Sequence, residues 1–271
     1  MLISIPDIIK KSIKIYRNNA KLFLKYIGLM FIPGALIATT PIITPTFISP
    51  ALNVIGPLGT SFLIYVVITI FLSIISFWIS IAFIRAIANI YQNKPQESIQ
   101  LELNTAKTAI LPAIGASIVA GLAIFSGFIL FIIPGIIFTL WFTFVIYAIA
   151  IDKHKAIESI KVSKDLVVGR WWEVFARLFV PGLAFGILIM VITTVASYPI
   201  ESILEHTDPS SLLFATFVII SSLIITALSL LLAPLTTVAS TILYIELRNN
   251  PVLPEVKIPS PITETPTKKR E

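Results

Sequence analysis

FIIPGIIFTLWFTFVIYAIAIDKHKAIESIKVSKDLVVGRWW, residues 131–172, is the stretch whose reading decides the fold. Pro134-Gly135 opens it, and an unbroken apolar run follows to Ile151. The character then changes: residues 152–170 are charged, basic and amphipathic, and a second apolar run begins at Trp171. This reads as a membrane span, a helix on an aqueous face and the start of the next span. Working backward, residues 108–151 hold 44 positions without a formal charge. That is too long for one span of about 20 residues and right for a hairpin of two, with Pro134-Gly135 as its turn or as the start of its second helix.

Composition points the same way. Of 271 residues, 56% are hydrophobic and only 13% charged, against roughly 25% charged in soluble domains. A soluble core could not hide that much apolar surface, so lipid must cover it. There is no cysteine, which excludes disulfides and thiolate metal sites. The two histidines, His154 and His206, have no second ligand at metal spacing, and no cofactor is expected. The net charge of +6 suits membrane topology and anionic head groups rather than nucleic acid.

The remaining elements follow from the same pattern. Residues 4–20 read as a helix lying on the membrane surface rather than a cleaved leader. Ser4 can cap it, with Asp7 complementing the cap. Ile5, Ile8, Ile9, Ile13 and Tyr16 gather toward one face, and Lys10, Lys11, Lys14 and Arg17 toward the other. Spans are expected at about 22–40, 60–91, 108–130, 134–151, 171–195 and 212–244, with a second surface helix at 153–168. Residues 92–107 read as a polar connector of ambiguous secondary structure. Pro234 should bend the last span, its freed carbonyl taken by Thr236 or Thr237. The fold class is therefore all-α: one transmembrane domain over residues 1–248, and a disordered, Pro-rich basic tail at 249–271.

Charge checks the six-span count. All 20 Lys and Arg fall on one side: six in residues 1–25, three from Arg85 to Lys107, six from Lys153 to Arg177, five from Arg248 onward. The other side has only Glu201, Glu205 and Asp208, in the loop after the fifth span. The positive-inside rule then makes both termini cytoplasmic, in a protein of the plasma membrane. Residues 7–34 and 156–182 echo each other, each a basic amphipathic helix entering a span that reaches Pro-Gly.

Few residues invite chemistry. No ionisable residue stands at a mid-span position. Arg85 lies near the cytoplasmic end of its span and can snorkel, while Glu173 and Arg177 are spaced to pair with each other. Together with Lys10, Lys11, Lys14, Arg17, Lys153, Lys155, Lys161 and Lys164, Arg85 and Arg177 are the candidate contacts for anionic lipid, since Arg can grip a phosphate with two parallel hydrogen bonds. Gly182/Gly186, Ser117/Gly121 and Ser76/Ser80 have the spacing that lets helices pack closely. Trp171 and Trp172 suit the cytoplasmic interface. Ser159 and Ser163 are hydroxyls on the basic helix that could be phosphorylated, with nothing further to mark them. Nucleophile-elbow, zincin, P-loop and dinucleotide motifs are missing.

Ile133-Pro134-Gly135-Ile136, Trp141, Phe142, Ala156, Ser159, Ser163, Leu166, Gly169 and Trp172 resemble a group of prokaryotic six-span membrane proteins. Their domain also occurs fused to glycerophosphodiester phosphodiesterases. The resemblance implies a multi-pass domain without catalytic residues of its own. Val168 departs from it, standing where the group often has a lysine. The expected function is a non-enzymatic membrane protein organising lipid or protein partners, with anionic lipids and a membrane-protein partner as the candidates. A transporter or channel component for a small or lipidic solute is the alternative: a packed bundle with a basic cytoplasmic groove favours the first, a polar cavity at mid-membrane the second.

Overall fold

The computed structural model describes residues 2–43, 57–209 and 211–252. The chain is all helical there: α1 (Ile5–Asn18), α2 (Ala20–Ile43), α3 (Pro57–Tyr91), α4 (Ile99–Leu130), α5 (Ile132–Phe142), α6 (Val145–Asp152), α7 (Ala156–Val167), α8 (Trp171–Leu204) and α9 (Leu212–Asn249). Six stretches are long and apolar enough to cross a membrane: α2, α3, α4, α5 with α6, α8 and α9. Their outward faces carry Leu111, Trp172 and Tyr198 at 80%, 73% and 71% exposure. So much continuous apolar surface has no place in water and every place in a bilayer. Most of the tail expected to be disordered, and most of the four-proline segment after α2, lie outside the described residues.

The helices run longer than the spans expected of them. At 38 residues, α9 is about 57 Å long, and only about 30 Å of that fits the hydrocarbon. Glu201 accordingly belongs to the last turn of α8, not to the loop beyond it. Residues 99–107 of the expected connector are the first turns of α4, started by Ser98, whose Oγ accepts the Leu101 N–H at 3.3 Å. The second surface helix begins at Ala156, so Lys153 and His154 lie in the loop before it. Ser4 caps α1 as expected, accepting the Asp7 N–H at 3.3 Å and donating to Asp7 Oδ2 at 2.6 Å.

The fourth span is broken. α5 ends at Phe142 and α6 starts at Val145, and Ser163 of α7 fills the break. Its Oγ accepts the Phe144 N–H at 3.0 Å and donates to the Trp141 carbonyl at 2.6 Å. Main-chain groups left open in an apolar run are thereby satisfied, as burial requires. Ser159 and Ser163 are both fully buried, which removes them as modification sites.

Before the break, α4 and α5 form a tight hairpin through extended Phe131. Pro134 falls in the first turn of α5, where no helical N–H is missed. Gly135 is needed because the Phe128 ring lies on its Cα; an added Cβ would stand 2.4 Å from that ring. A Cβ on Gly127 would meet the Gly135 backbone at 3.1 Å. Gly121, Gly182 and Gly186, by contrast, face open space, so these small-residue pairs do not join helices among the described residues. The close-packed face of α4 is instead Ala106, Ala113, Ala116 and Ala120.

Aromatic contacts tie the core together. Phe23 of α2 meets Phe83 of α3 edge-on at 5.1 Å, and Tyr147 of α6 stacks on Tyr244 of α9 at 6.0 Å. The first helix is docked rather than merely surface-bound: Ile8 and Ser12 are fully buried, and Tyr16 donates to the Leu231 carbonyl of α9 at 2.8 Å. That carbonyl lies next to the one Pro234 frees, at Leu230. The Thr236 and Thr237 hydroxyls expected there turn to the Ala233 carbonyl instead.

Candidate functional site

Polar side chains gather where the helices end together. The C-terminal turns of α3, α6 and α9 meet the N-terminal turns of α4 and α8 and the helices α1 and α7, as the following bonds show. We call this the basic end.

Arg85 of α3 is its central residue. Nε donates to Glu102 Oε2 at 2.9 Å and Nη1 to the Ala150 carbonyl of α6 at 3.1 Å. Asn89, one turn on, donates to Glu102 Oε1 at 2.7 Å. Glu102 is 1% exposed, so a carboxylate with both oxygens hydrogen-bonded stands where an unpaired one could not. The sequence marked Arg85 as free to snorkel toward phosphate; much of its guanidinium is engaged internally. Its partner was hidden in the stretch read as connector. Arg85 and Asn89 at i, i+4 on an otherwise apolar helix were the available signal that a polar partner faces them.

Two further carboxylates close the ends of α6 and α9. Asp152 receives both the Tyr244 hydroxyl and the Arg248 guanidinium. Glu246 accepts the Tyr91 hydroxyl at 2.6 Å, and Lys11 donates to that same oxygen at 3.3 Å. Arg170, 9% exposed, donates Nε to the Leu166 carbonyl at 2.9 Å, Nη2 to the Leu247 carbonyl at 2.9 Å, and Nη1 to the Asn250 carbonyl. One cation thus serves the carbonyl ends of α7 and α9 together, where a positive charge is favoured. The expected Glu173–Arg177 pair is loose, at 3.7 Å. Arg177 gives its better bonds to the Ile3 carbonyl at 2.8 Å and the Glu173 carbonyl at 3.1 Å, holding the chain's start against α8.

The lysines behave differently. Lys10, Lys11, Lys14, Arg17, Lys153, Lys155, Lys161 and Lys164 are all exposed. Lys11 leans on Tyr91, and Lys164 stands 4.7 Å from the Trp141 ring centre. His154 Nδ1 lies 2.9 Å from Glu158 Oε1. That contact, with the Lys155 N–H, holds the Glu158 carboxyl below its ordinary range. Among the described residues no three His, Cys, Asp or Glu gather as metal donors.

A family pattern described as "Domain of unknown function (DUF7847)" matches residues 3–247, nearly all of the architecture just described. The chain belongs to the DUF7847 family. No curated protein and no solved structure matches it. The match begins just before α1 and ends within the last turn of α9, so the DUF7847 unit includes α1, α7 and the basic end, not the long apolar helices alone. What the family and the six apolar helices establish is a multi-pass membrane protein; the match carries no link to phosphodiesterase fusions.

Proposed function

We propose that this protein is a non-enzymatic component of the plasma membrane whose basic end faces the cytoplasm and gathers anionic lipid there. One observation carries the reading. Lys10, Lys14, Arg17, Lys153, Lys155 and Lys161 are exposed at one end of the bundle without an ion-pair partner among the described residues. Each basic residue beside an anionic surface contributes about 1 kcal/mol, screened by salt. Several together select anionic lipid even where some lie too far from the surface to count. A cavity lined by Arg85 and Lys153 lies at this end, which accords with an anionic ligand there.

The test replaces Lys10, Lys11, Lys14, Arg17, Lys153, Lys155, Lys161 and Lys164 by Gln. The spans should still insert, because Lys21, Lys25, Arg170 and Arg177 mark the flanks. Co-purified anionic lipid should fall, and the salt dependence of lipid exchange should flatten. Retention of the same lipids in the same proportions would show that these residues serve topology alone.

A further inference from the structure

Between α3, α4, α6 and the loop that leads to α7 lies a cavity of about 240 Å³. Arg85, Thr105, Thr108, Lys153 and His154 supply its polar wall. Among the described residues no carboxylate lines it, and Glu158 approaches only through His154, at 2.9 Å. Glu102 approaches Arg85 from elsewhere and occupies its Nε, and Ala150 takes Nη1. The outer guanidinium nitrogen, Nη2, has no protein acceptor among the described residues. The two threonines spend their hydroxyl protons on the Leu101 and Thr105 carbonyls, each at 2.9 Å. The free donors are therefore Arg85 Nη2 and the Lys153 ammonium, which has neither an ion pair nor a hydrogen bond among the described residues.

The backbone of Lys153 is the second observation. It sits at the C-terminus of α6 in the left-handed region, φ 60° and ψ 29°, with its N–H on the Ile149 carbonyl at 3.1 Å. That position favours glycine, and a side chain there costs about 1 kcal/mol. Lys153 is thus held in a conformation that glycine adopts more freely, on the wall of a cavity that Arg85 also lines.

We infer that Arg85 and Lys153 form a binding site for a phosphate group, with His154 at its edge. The ligand class is a phosphate group small enough for the cavity to enclose: the phosphate of a phospholipid head group or, by the same chemistry, free phosphate. The lipid form rests on the reading of the basic end given above. The site itself does not, because it needs only a cavity and two donors.

The experiment uses the full chain in neutral detergent. Its ligands are short-chain phosphatidic acid and, separately, inorganic phosphate, and its readouts are calorimetric affinity and ligand-induced change in melting temperature. Lys153→Gly relieves the strained backbone, so the unliganded variant should melt no lower than the wild type. It should bind the short-chain lipid about ten- to a hundredfold more weakly, the loss of one charge-assisted hydrogen bond. A companion variant changes the other seven exposed residues, Lys10, Lys11, Lys14, Arg17, Lys155, Lys161 and Lys164, to Gln and keeps Lys153. It should lose binding to phosphatidylglycerol vesicles yet keep the wild-type affinity for the soluble ligand. Unchanged soluble-ligand affinity in Lys153→Gly overturns the site and leaves the basic-surface reading standing. Unchanged vesicle binding in the seven-fold variant overturns the surface reading and leaves the site standing. Phosphatidic acid bound much more tightly than inorganic phosphate assigns the site to a head group. Equal affinities, both lost in Lys153→Gly, assign it to free phosphate. Binding of neither by the wild type overturns it.

Discussion

The Arg85–Glu102 pair allows the sharpest test of how this bundle is held. Arg85→Met removes the Nε donor that serves Glu102 at 2.9 Å and leaves a carboxylate, 1% exposed, with Asn89 as its one remaining donor. Breaking a buried pair from one side costs about 3–5 kcal/mol, because the abandoned charge stays buried. For a chain of this size each kcal/mol lowers the melting temperature by about 2–4 °C, so a fall of about 6–20 °C is expected. Glu102→Gln should cost less, about 1–3 kcal/mol, since the Arg85 side chain keeps 13% exposure and reaches the cavity. The double variant Arg85→Met with Glu102→Leu replaces both charges by apolar volume and should recover to within about 2 kcal/mol of the wild type. Thermal unfolding of the purified protein in detergent, followed by tryptophan fluorescence, measures the wild type and the three variants. An Arg85→Met protein as stable as the wild type, or a double variant no more stable than Arg85→Met alone, would refute the reasoning.

Three further outcomes are expected. Ser163→Ala leaves the Phe144 N–H buried without an acceptor and should cost about 1–3 kcal/mol, read as a lower melting temperature. Gly127→Ala should destabilise by forcing the Gly135 backbone away, while Gly182→Ala and Gly186→Ala, facing open space, should be neutral or stabilising by up to about 1 kcal/mol; equal effects at all three positions would contradict the hairpin geometry. Single cysteines at the exposed positions Lys94 and Ile157 should resist an impermeant thiol reagent in intact cells and react after permeabilisation, as cytoplasmic placement requires.

The apolar runs were legible because their length and lack of charge admit few alternatives, and the Ser4 cap because it lies wholly within four residues. The break at Thr143 was not legible: the run through it is uniformly apolar, and the hydroxyl that fills it comes from Ser163, twenty residues later. Glu102 was missed for a similar reason. Residues 99–107 mix polar and apolar positions too briefly to show a period, and the partner that makes the carboxylate tolerable stands on another helix. Gly182 and Gly186 misled in the opposite direction, since close spacing of small residues matters only where a second helix faces them. At the candidate site, the exposed lysines could be named from sequence because a free charge must avoid lipid. The cavity could not, because it exists only once α3, α4 and α6 converge.

The basic end divides its cations by chemistry, and that division can be tested directly. Arg85, Arg170, Arg177 and Arg248 each bind a carboxylate or backbone carbonyls of another segment. The residues left exposed are lysines, with Arg17 the exception. A planar guanidinium can hold two or three acceptors in fixed directions, whereas an ammonium on a flexible stem is a point charge suited to mobile head groups. Exchanging the two types at the wrong positions should therefore be asymmetric. Lys10, Lys14, Lys155 and Lys161 changed together to Arg should leave melting temperature and vesicle binding close to wild type, because charge alone matters at an exposed position. Arg170→Lys should lower stability although it conserves charge. A single ammonium cannot reproduce three N–H groups directed at the Leu166, Leu247 and Asn250 carbonyls, and at least one of them loses its donor. The expected cost is about 1–3 kcal/mol for that unsatisfied acceptor, or a melting temperature lower by about 2–12 °C. An Arg170→Lys protein with wild-type stability would mean that position 170 supplies only charge. The ends of α7 and α9 would then be held by their apolar contacts rather than by the guanidinium between them.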